Sequence, residues 1–209
     1  MRRALRVRGA PAVRIAAVLL AAGEGRRMGA GPKALLELGG ATFLARCLER
    51  LAAPPVERVF VVVGFEAERI RRESPLPEAA RFVENRRFGD GMLSSVLCGL
   101  EAADEEGADA VLLHPVDHPL VGAETVARVA AALLAGAVVA VPSRSGRRGH
   151  PAGFARASWS ALRAASPLLG AREVLRDHPG WIVHVPGDEG CVTGFNTPDD
   201  LAAHRPSRS

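Results

Sequence analysis

The residues best suited to chemistry are concentrated in one stretch. Leu19-Leu20-Ala21-Ala22-Gly23-Glu24-Gly25-Arg26-Arg27-Met28-Gly29-Ala30-Gly31-Pro32-Lys33 holds four glycines, two arginines and a lysine. Glycine has no Cβ, so the backbone can turn sharply there and come close to a ligand. Backbone N–H groups gathered beside fixed cations suit a polyphosphate. The same composition would equally make a solvated strand-to-helix turn, with Arg26, Arg27 and Lys33 incidental to it. Two well-known phosphate loops do not fit. A P-loop ends in Gly-Lys-Ser/Thr, and Lys33 stands between Pro32 and Ala34; the dinucleotide fingerprint needs a third glycine where Met28 stands. Neither a P-loop ATPase nor a nicotinamide site is expected.

A second set of candidates lies further on. The run Ala110-Val111-Leu112-Leu113-His114 ends in Pro115-Val116-Asp117-His118-Pro119. An aspartate at the carboxyl end of a central parallel strand stands where open α/β sheets bind ligands. Its carboxylate is a ligand magnesium prefers, although capping the next helix is the plainer use. His114 and His118 have metal-like spacing, but the flanking prolines forbid a helix that would show both on one face, so no zinc site is expected. His150 lies in Gly149-His150-Pro151, beside Arg144, Arg147 and Arg148. Those arginines would suit an anion or simply face water.

The ordered run Leu20-Ala21-Ala22-Gly23-x-Gly25-x-Arg27-Met28-Gly29, followed by Pro32-Lys33, resembles the signature of the MobA-like nucleotidyltransferases. Among them it is most similar to the molybdenum-cofactor cytidylyltransferases, which carry Ala-Ala-Gly where the guanosine-using branch carries Ala-Gly-Gly. The resemblance implies a three-layer α/β/α, Rossmann-like fold with a mostly parallel sheet, of the nucleotide-diphospho-sugar transferase type. It implies transfer of a nucleoside monophosphate, CMP from CTP, to the phosphate of a small acceptor such as the molybdopterin cofactor, with release of pyrophosphate. The implied cofactor is Mg2+.

The resemblance also assigns roles. Leu20, Ala21, Ala22, Gly23 and Gly25, with Arg27 and Lys33, would bind the nucleotide. Gly91 and Ser95, in a stretch that opens with Asn85, would lie by its base. Arg27, Lys33 and Asp117 would be catalytic, His150 would face the acceptor, and Asp117 with Asn196 would hold the metal. Gly194-Phe195-Asn196 stands where the cofactor branch has Asp-Ile-Asp; related guanosine and sugar-nucleotide enzymes have Asn there. Leu168-Leu169-Gly170-Ala171-Arg172 resembles the family's Gly-Asp-x-Gly-Ala-Arg without its Gly-Asp half. Three readings stay open: a cytidylyltransferase acting on a molybdopterin-type phosphate, a related transferase using another nucleotide or a sugar-phosphate acceptor, and a non-catalytic nucleotide-binding maturation factor for a molybdenum enzyme. The implied partners are a nucleoside triphosphate, a small phosphorylated acceptor and a molybdenum-dependent oxidoreductase, with no nucleic acid and no membrane.

The elements that must hold these residues alternate. Ile15 to Leu20, Val59 to Val63 and Ala110 to His114 read as buried strands, Gly136 to Val141 and Trp181 to Val185 as further strands, and Arg81 to Glu84 as a weaker one. Between them fall helices at Phe43–Leu51, capped by Thr42, and at 66–72, 92–106, 122–134, 155–165 and 170–176. Thr197-Pro198 starts a last helix. With 209 residues, the chain fits one such domain over 15–203. Residues 1–14 read as a disordered basic arm: five arginines there outweigh the net charge of +4 of the whole chain. Residues 204–209 read as a tail. Cys47, Cys98 and Cys191 are odd in number and scattered, which points to a reducing cytoplasm rather than a disulfide frame.

Overall fold

The structure, a computed structural model, describes residues 13–29 and 31–204. The expected arm and tail therefore lie, apart from Val13, Arg14 and His204, outside the described residues.

In chain order the strands are β1 (Ile15–Leu20), β2 (Glu37–Leu38), β3 (Ala41–Thr42), β4 (Val56–Val63), β5 (Ala80–Glu84), β6 (Ala110–Pro115), β7 (Val139–Arg144), β8 (Arg147–Arg148), β9 (Ala152–Ala155) and β10 (Ile182–Pro186). The α-helices are α1 (Phe43–Leu51), α2 (Ala67–Glu73), α3 (Met92–Glu105), α4 (Ala123–Leu134), α5 (Trp159–Ala164), α6 (Ala171–Asp177) and α7 (Pro198–Ala203). The main sheet runs β10-β7-β9-β6-β1-β4-β5, with β8 paired to β7. Pairings β4–β1, β1–β6, β4–β5 and β7–β10 are parallel. Strand β9 lies antiparallel between β6 and β7. The sheet is thus mostly parallel, as expected.

The alternation of side chains along β1 separates two cores. Ile15, Ala17 and Leu19 pack with Val59, Val61 and Val63 against Leu44, Cys47, Leu48 and Leu51 of α1 and Val126, Val129 and Leu133 of α4. Ala16 and Val18 pack with Phe60 and Val62 against Leu93, Val96 and Leu100 of α3 and Trp159 and Leu162 of α5. Helices on both faces of one sheet make three layers. Gly99 lets α3 lie close on the sheet: a Cβ there would stand 2.2 Å from Val18 Cγ1.

Two expectations need correction. The sequence marks no strand between Gly149 and the helix expected over 155–165. Ala152–Ala155 is instead a largely buried strand, and helical structure begins at Arg156 as a 3-10 turn, Arg156–Ser158, that leads into α5 at Trp159. The run read as a strand from Gly136 starts at Val139 and continues to Arg144, because Ser143 and Arg144 pair with Arg148 and Arg147 in a small hairpin. All three cysteines are free, two of them buried. Among the described residues, no helix is long and apolar enough to cross a membrane.

Candidate active site

Strand β1 sits between β4 and β6, so the chain leaves it to build the sheet first one way and then the other. A crevice opens at the carboxyl ends of strands at such a switch point. Here it is a cavity of about 390 Å³, lined by Leu20, Ala21, Ala22, Gly23 and Gly25 from the first loop, with Arg26, Arg27 and Lys33. Its other walls are Phe88, Gly91, Met92 and Ser95 at the start of α3, Pro115, Val116 and Asp117 after β6, and Asn196. The volume is in the range that holds a small organic ligand.

The loop keeps its shape by local means. Gly25 is left-handed (φ 60°), and a Cβ there would press to 3.2 Å on the Gly31 carbonyl oxygen and on Lys33 Cγ. A single 3-10 turn, Arg26–Met28, follows, with Met28 buried as its anchor. Arg26 is paired with Glu24, whereas Arg27 is exposed, lines the cavity and has no ion pair among the described residues.

Lys33, Asp117 and Asn196 meet at the rim. Lys33 Nζ donates to Asp117 Oδ2 at 2.7 Å and to Asn196 Oδ1 at 2.9 Å, across 84 and 163 residues of chain. An ammonium can only donate, so the Asn196 amide must turn its oxygen to the same point as the carboxylate. The C-terminal segment is held there from three sides. Phe195 is fully buried against Phe43, ring centroids 5.2 Å apart. The Phe195 N–H donates to the Asp117 carbonyl at 2.9 Å. Asp200 Oδ2 accepts from the backbone of Asn196 and Thr197, in a reciprocal capping box that starts α7.

The second oxygen of Asp117 is occupied too: His118 Nδ1 lies 3.0 Å from Oδ1. Burial pushes the Asp117 carboxyl up, but the His118 hydrogen bond and the charge and hydrogen bond of Lys33 outweigh it and hold Asp117 well below the usual carboxylate range. The spacing of the sequence marks His118 only as a zinc candidate. Its adjacency to Asp117 was the one available signal of this contact.

A carboxylate oxygen and a neutral amide oxygen aimed at one cation are hard donors of the kind magnesium takes, the rest of its shell being water and substrate oxygen. These residues therefore fit the implied metal. Among the described residues there is no group of three or more His, Cys, Asp or Glu side chains able to hold a metal by themselves.

The remaining candidates separate. Ser95 lines the cavity and is buried. His150 does not line it: its backbone N–H is tied to the Cys191 carbonyl at 2.9 Å, and its ring packs 4.7 Å from that of His118. His114 completes a cluster of three imidazoles that spacing did not reveal, 6.3 Å from His118 and 6.5 Å from His150. Burial, reinforced by the neighbouring imidazoles, pushes His114 down to about 3 and His150 to about 4, so both are neutral near pH 7. Of the three arginines in the basic turn, Arg144 lies 3.6 Å from Glu189 and Arg147 donates to the Val192 carbonyl, while Arg148 is exposed.

This topology, with its cavity at the switch point, is that of the nucleotide-diphospho-sugar transferases. The 2-C-methyl-D-erythritol 4-phosphate cytidylyltransferase of Thermus thermophilus has the same fold: TM-score 0.66 at 25% identity, covering 92% of this chain and 97% of that one. Residues 17–181 match the MobA-like NTP transferase domain, and the chain belongs to that family of nucleotidyltransferases. The nicotine blue oxidoreductase of Paenarthrobacter nicotinovorans is 35% identical over 179 residues, which make up 81% of this chain and 84% of the relative. The molybdenum cofactor guanylyltransferase of Cereibacter sphaeroides is 34% identical over 194 residues, 91% of this chain and 95% of the relative.

Proposed function

We propose that this protein transfers CMP from CTP to the phosphate of a small anionic acceptor of the molybdopterin type. The observation that carries the reading is the meeting of Lys33, Asp117 and Asn196 at the rim of a cavity entered by a glycine loop. A phosphate oxygen of the acceptor attacks the α-phosphorus, the bond from that phosphorus to the bridging oxygen breaks, and pyrophosphate leaves with the electron pair. The acceptor is already ionised, so no strong base is needed. The obstacle is the approach of two anions, and catalysis is chiefly positioning and charge neutralisation.

In this reading the backbone from Leu20 to Gly25 cradles the triphosphate, and Gly91 and Ser95 lie by the base. Arg27 and Lys33 offset the charge gathering on the leaving pyrophosphate, and His150 acts behind His118 on the acceptor side. Magnesium bound through Asp117 and Asn196 would supply Lewis-acid polarisation of the phosphoryl oxygens. In a cell the product would pass to a molybdenum-dependent oxidoreductase. The choice of CTP rests on Ala21-Ala22-Gly23 and on the cytidylyltransferase that shares the fold. Asn196 and the guanylyltransferase relative support GTP or another nucleotide as the second reading.

The test is incubation with each of the four nucleoside triphosphates, Mg2+ and candidate phosphomonoesters, following pyrophosphate. Release with CTP and a pterin phosphate is the expected result. Release only with GTP or with a sugar phosphate selects the second reading. No release under any condition would overturn both.

A further inference from the structure

Asn85 makes a chain of hydrogen bonds whose polarity is fixed from one end. The Arg87 backbone N–H donates to Asn85 Oδ1 at 2.9 Å. A backbone N–H cannot accept, so the amide oxygen must face it and the NH₂ group must face the other way. That group donates to Ser94 Oγ at 2.8 Å and to Ser95 Oγ at 3.0 Å. The Ser94 hydroxyl spends its own proton on the carbonyls of Arg87 and Gly91, at 2.9 and 2.8 Å. The Ser95 hydroxyl receives from Asn85, and its own proton has no acceptor among the described residues. Asn85 and Ser95 are each 5% exposed, and Ser95 lines the cavity.

A buried hydroxyl that already accepts is left to donate, and the unfilled side of Ser95 is the cavity. We propose that Asn85 is a positioning residue that fixes Ser95 as a hydrogen-bond donor to the nucleobase. The cavity then selects bases that place an acceptor there, a ring nitrogen lone pair or a carbonyl oxygen, against those that place an amino group or ring N–H. This rests on the reading of the cavity as a nucleotide site. A group built to donate discriminates strongly, because a donor facing a donor leaves both unpaired in a buried place.

Asn85→Asp tests the polarity at nearly constant shape. The carboxylate still accepts from Arg87, but it now accepts from Ser95 as well, and turns lone pairs of Ser95 toward the base. Binding is measured by calorimetry with Mg2+ for each nucleoside triphosphate and for inorganic tripolyphosphate, which has no base. Asn85→Asp is expected to weaken the tightest nucleotide about tenfold or more, the cost of a lost buried hydrogen bond, while tripolyphosphate changes less than about threefold. Ser95→Ala, which asks little of the fold, should show the same selective loss, and adding Asn85→Asp to it should change nucleotide affinity less than about twofold. A parallel loss for tripolyphosphate, or full additivity of the two substitutions, would overturn the proposal while leaving the nucleotide site intact. If the unaltered protein binds tripolyphosphate as tightly as any nucleotide, the reading of the cavity fails and the proposal goes with it.

Discussion

Replacing Lys33 by methionine is the most informative single change, because its ammonium satisfies two oxygens at once. The substitution keeps the length of the side chain and removes the charge. Asp117 Oδ2 and Asn196 Oδ1 lose donors at 2.7 and 2.9 Å, while Asp117 Oδ1 keeps His118. A hydrogen bond to a charged group contributes about 1.5–3 kcal/mol, and breaking a buried pair about 3–5. The side chains of Lys33 and Asp117 remain 16% and 20% exposed on a cavity that admits water, so the orphaned oxygens are partly rehydrated. The expected loss is therefore at the low end, about 2 kcal/mol. In an Asp117→Asn background, where the carboxylate that Lys33 pairs with is already neutral, the same change should cost under about 1 kcal/mol. Urea unfolding of the four proteins gives both numbers. Turnover, measured as pyrophosphate release, should fall on the order of 10²-fold or more, the scale of losing one charge-stabilising group. Activity of Lys33→Met within a few-fold of the unaltered protein would refute the catalytic argument. Equal costs in the two backgrounds would refute the structural one.

Three further outcomes are expected. A nucleoside triphosphate should raise the melting temperature with Mg2+ present and not in chelator; equal stabilisation in both would remove Asp117 and Asn196 from metal binding. Gly99→Ala should destabilise by about 1–3 kcal/mol, although alanine in a helix ordinarily gains up to about 1 kcal/mol, because its Cβ would meet Val18 Cγ1 at 2.2 Å; a thermal melt showing a gain would refute the close seating of α3. Stability should fall as pH drops below about 6.5, since the unfolded chain takes up a proton at His114 that the native one refuses until about 3. For the fully buried His114 alone this amounts to about 2 kcal/mol between pH 7 and 5. Asp117, held low in the native state, contributes stability above the unfolded carboxylate pKa of about 4 and loses it only at lower pH, so it leaves this window untouched. Urea midpoints that do not move between pH 7 and 5 would contradict the assignment, and His114→Gln should flatten the slope.

Local chemistry made much of the fold legible. Thr42 caps α1 through its side chain, at the place its type and position indicated, and Thr197 with Pro198 opens α7. Continuous apolar runs gave the central strands their buried positions. Strand β9 escaped because Ala-Gly-Phe-Ala has neither a β-branched run nor alternation; it is a strand only because β6 and β7 offer it edges on both sides. The candidate residues around the cavity were legible as an ordered motif, but their contacts were not. Nothing in the spacing of Lys33, Asp117 and Asn196 says that they touch, and the bond from Asn85 to Ser95 depends on how a turn folds back on α3. The clustering of His150 with His114 and His118 likewise comes from β9 lying beside β6.

The rim that joins Lys33 to Asn196 also bears on how the protein is made. A ribosome delivers residues in order, and the amide oxygen at position 196 is supplied after every strand of the described sheet. A nascent chain that has emerged only as far as β10 already owns the glycine turn, the lysine and the aspartate, yet Lys33 has one of its two oxygens still missing. Loss of the stretch after β10 would open the rim and also uncover the core, since it takes Phe195 away from Phe43. Competence at this site is thus a late event, waiting on a residue made only after the last strand of the sheet.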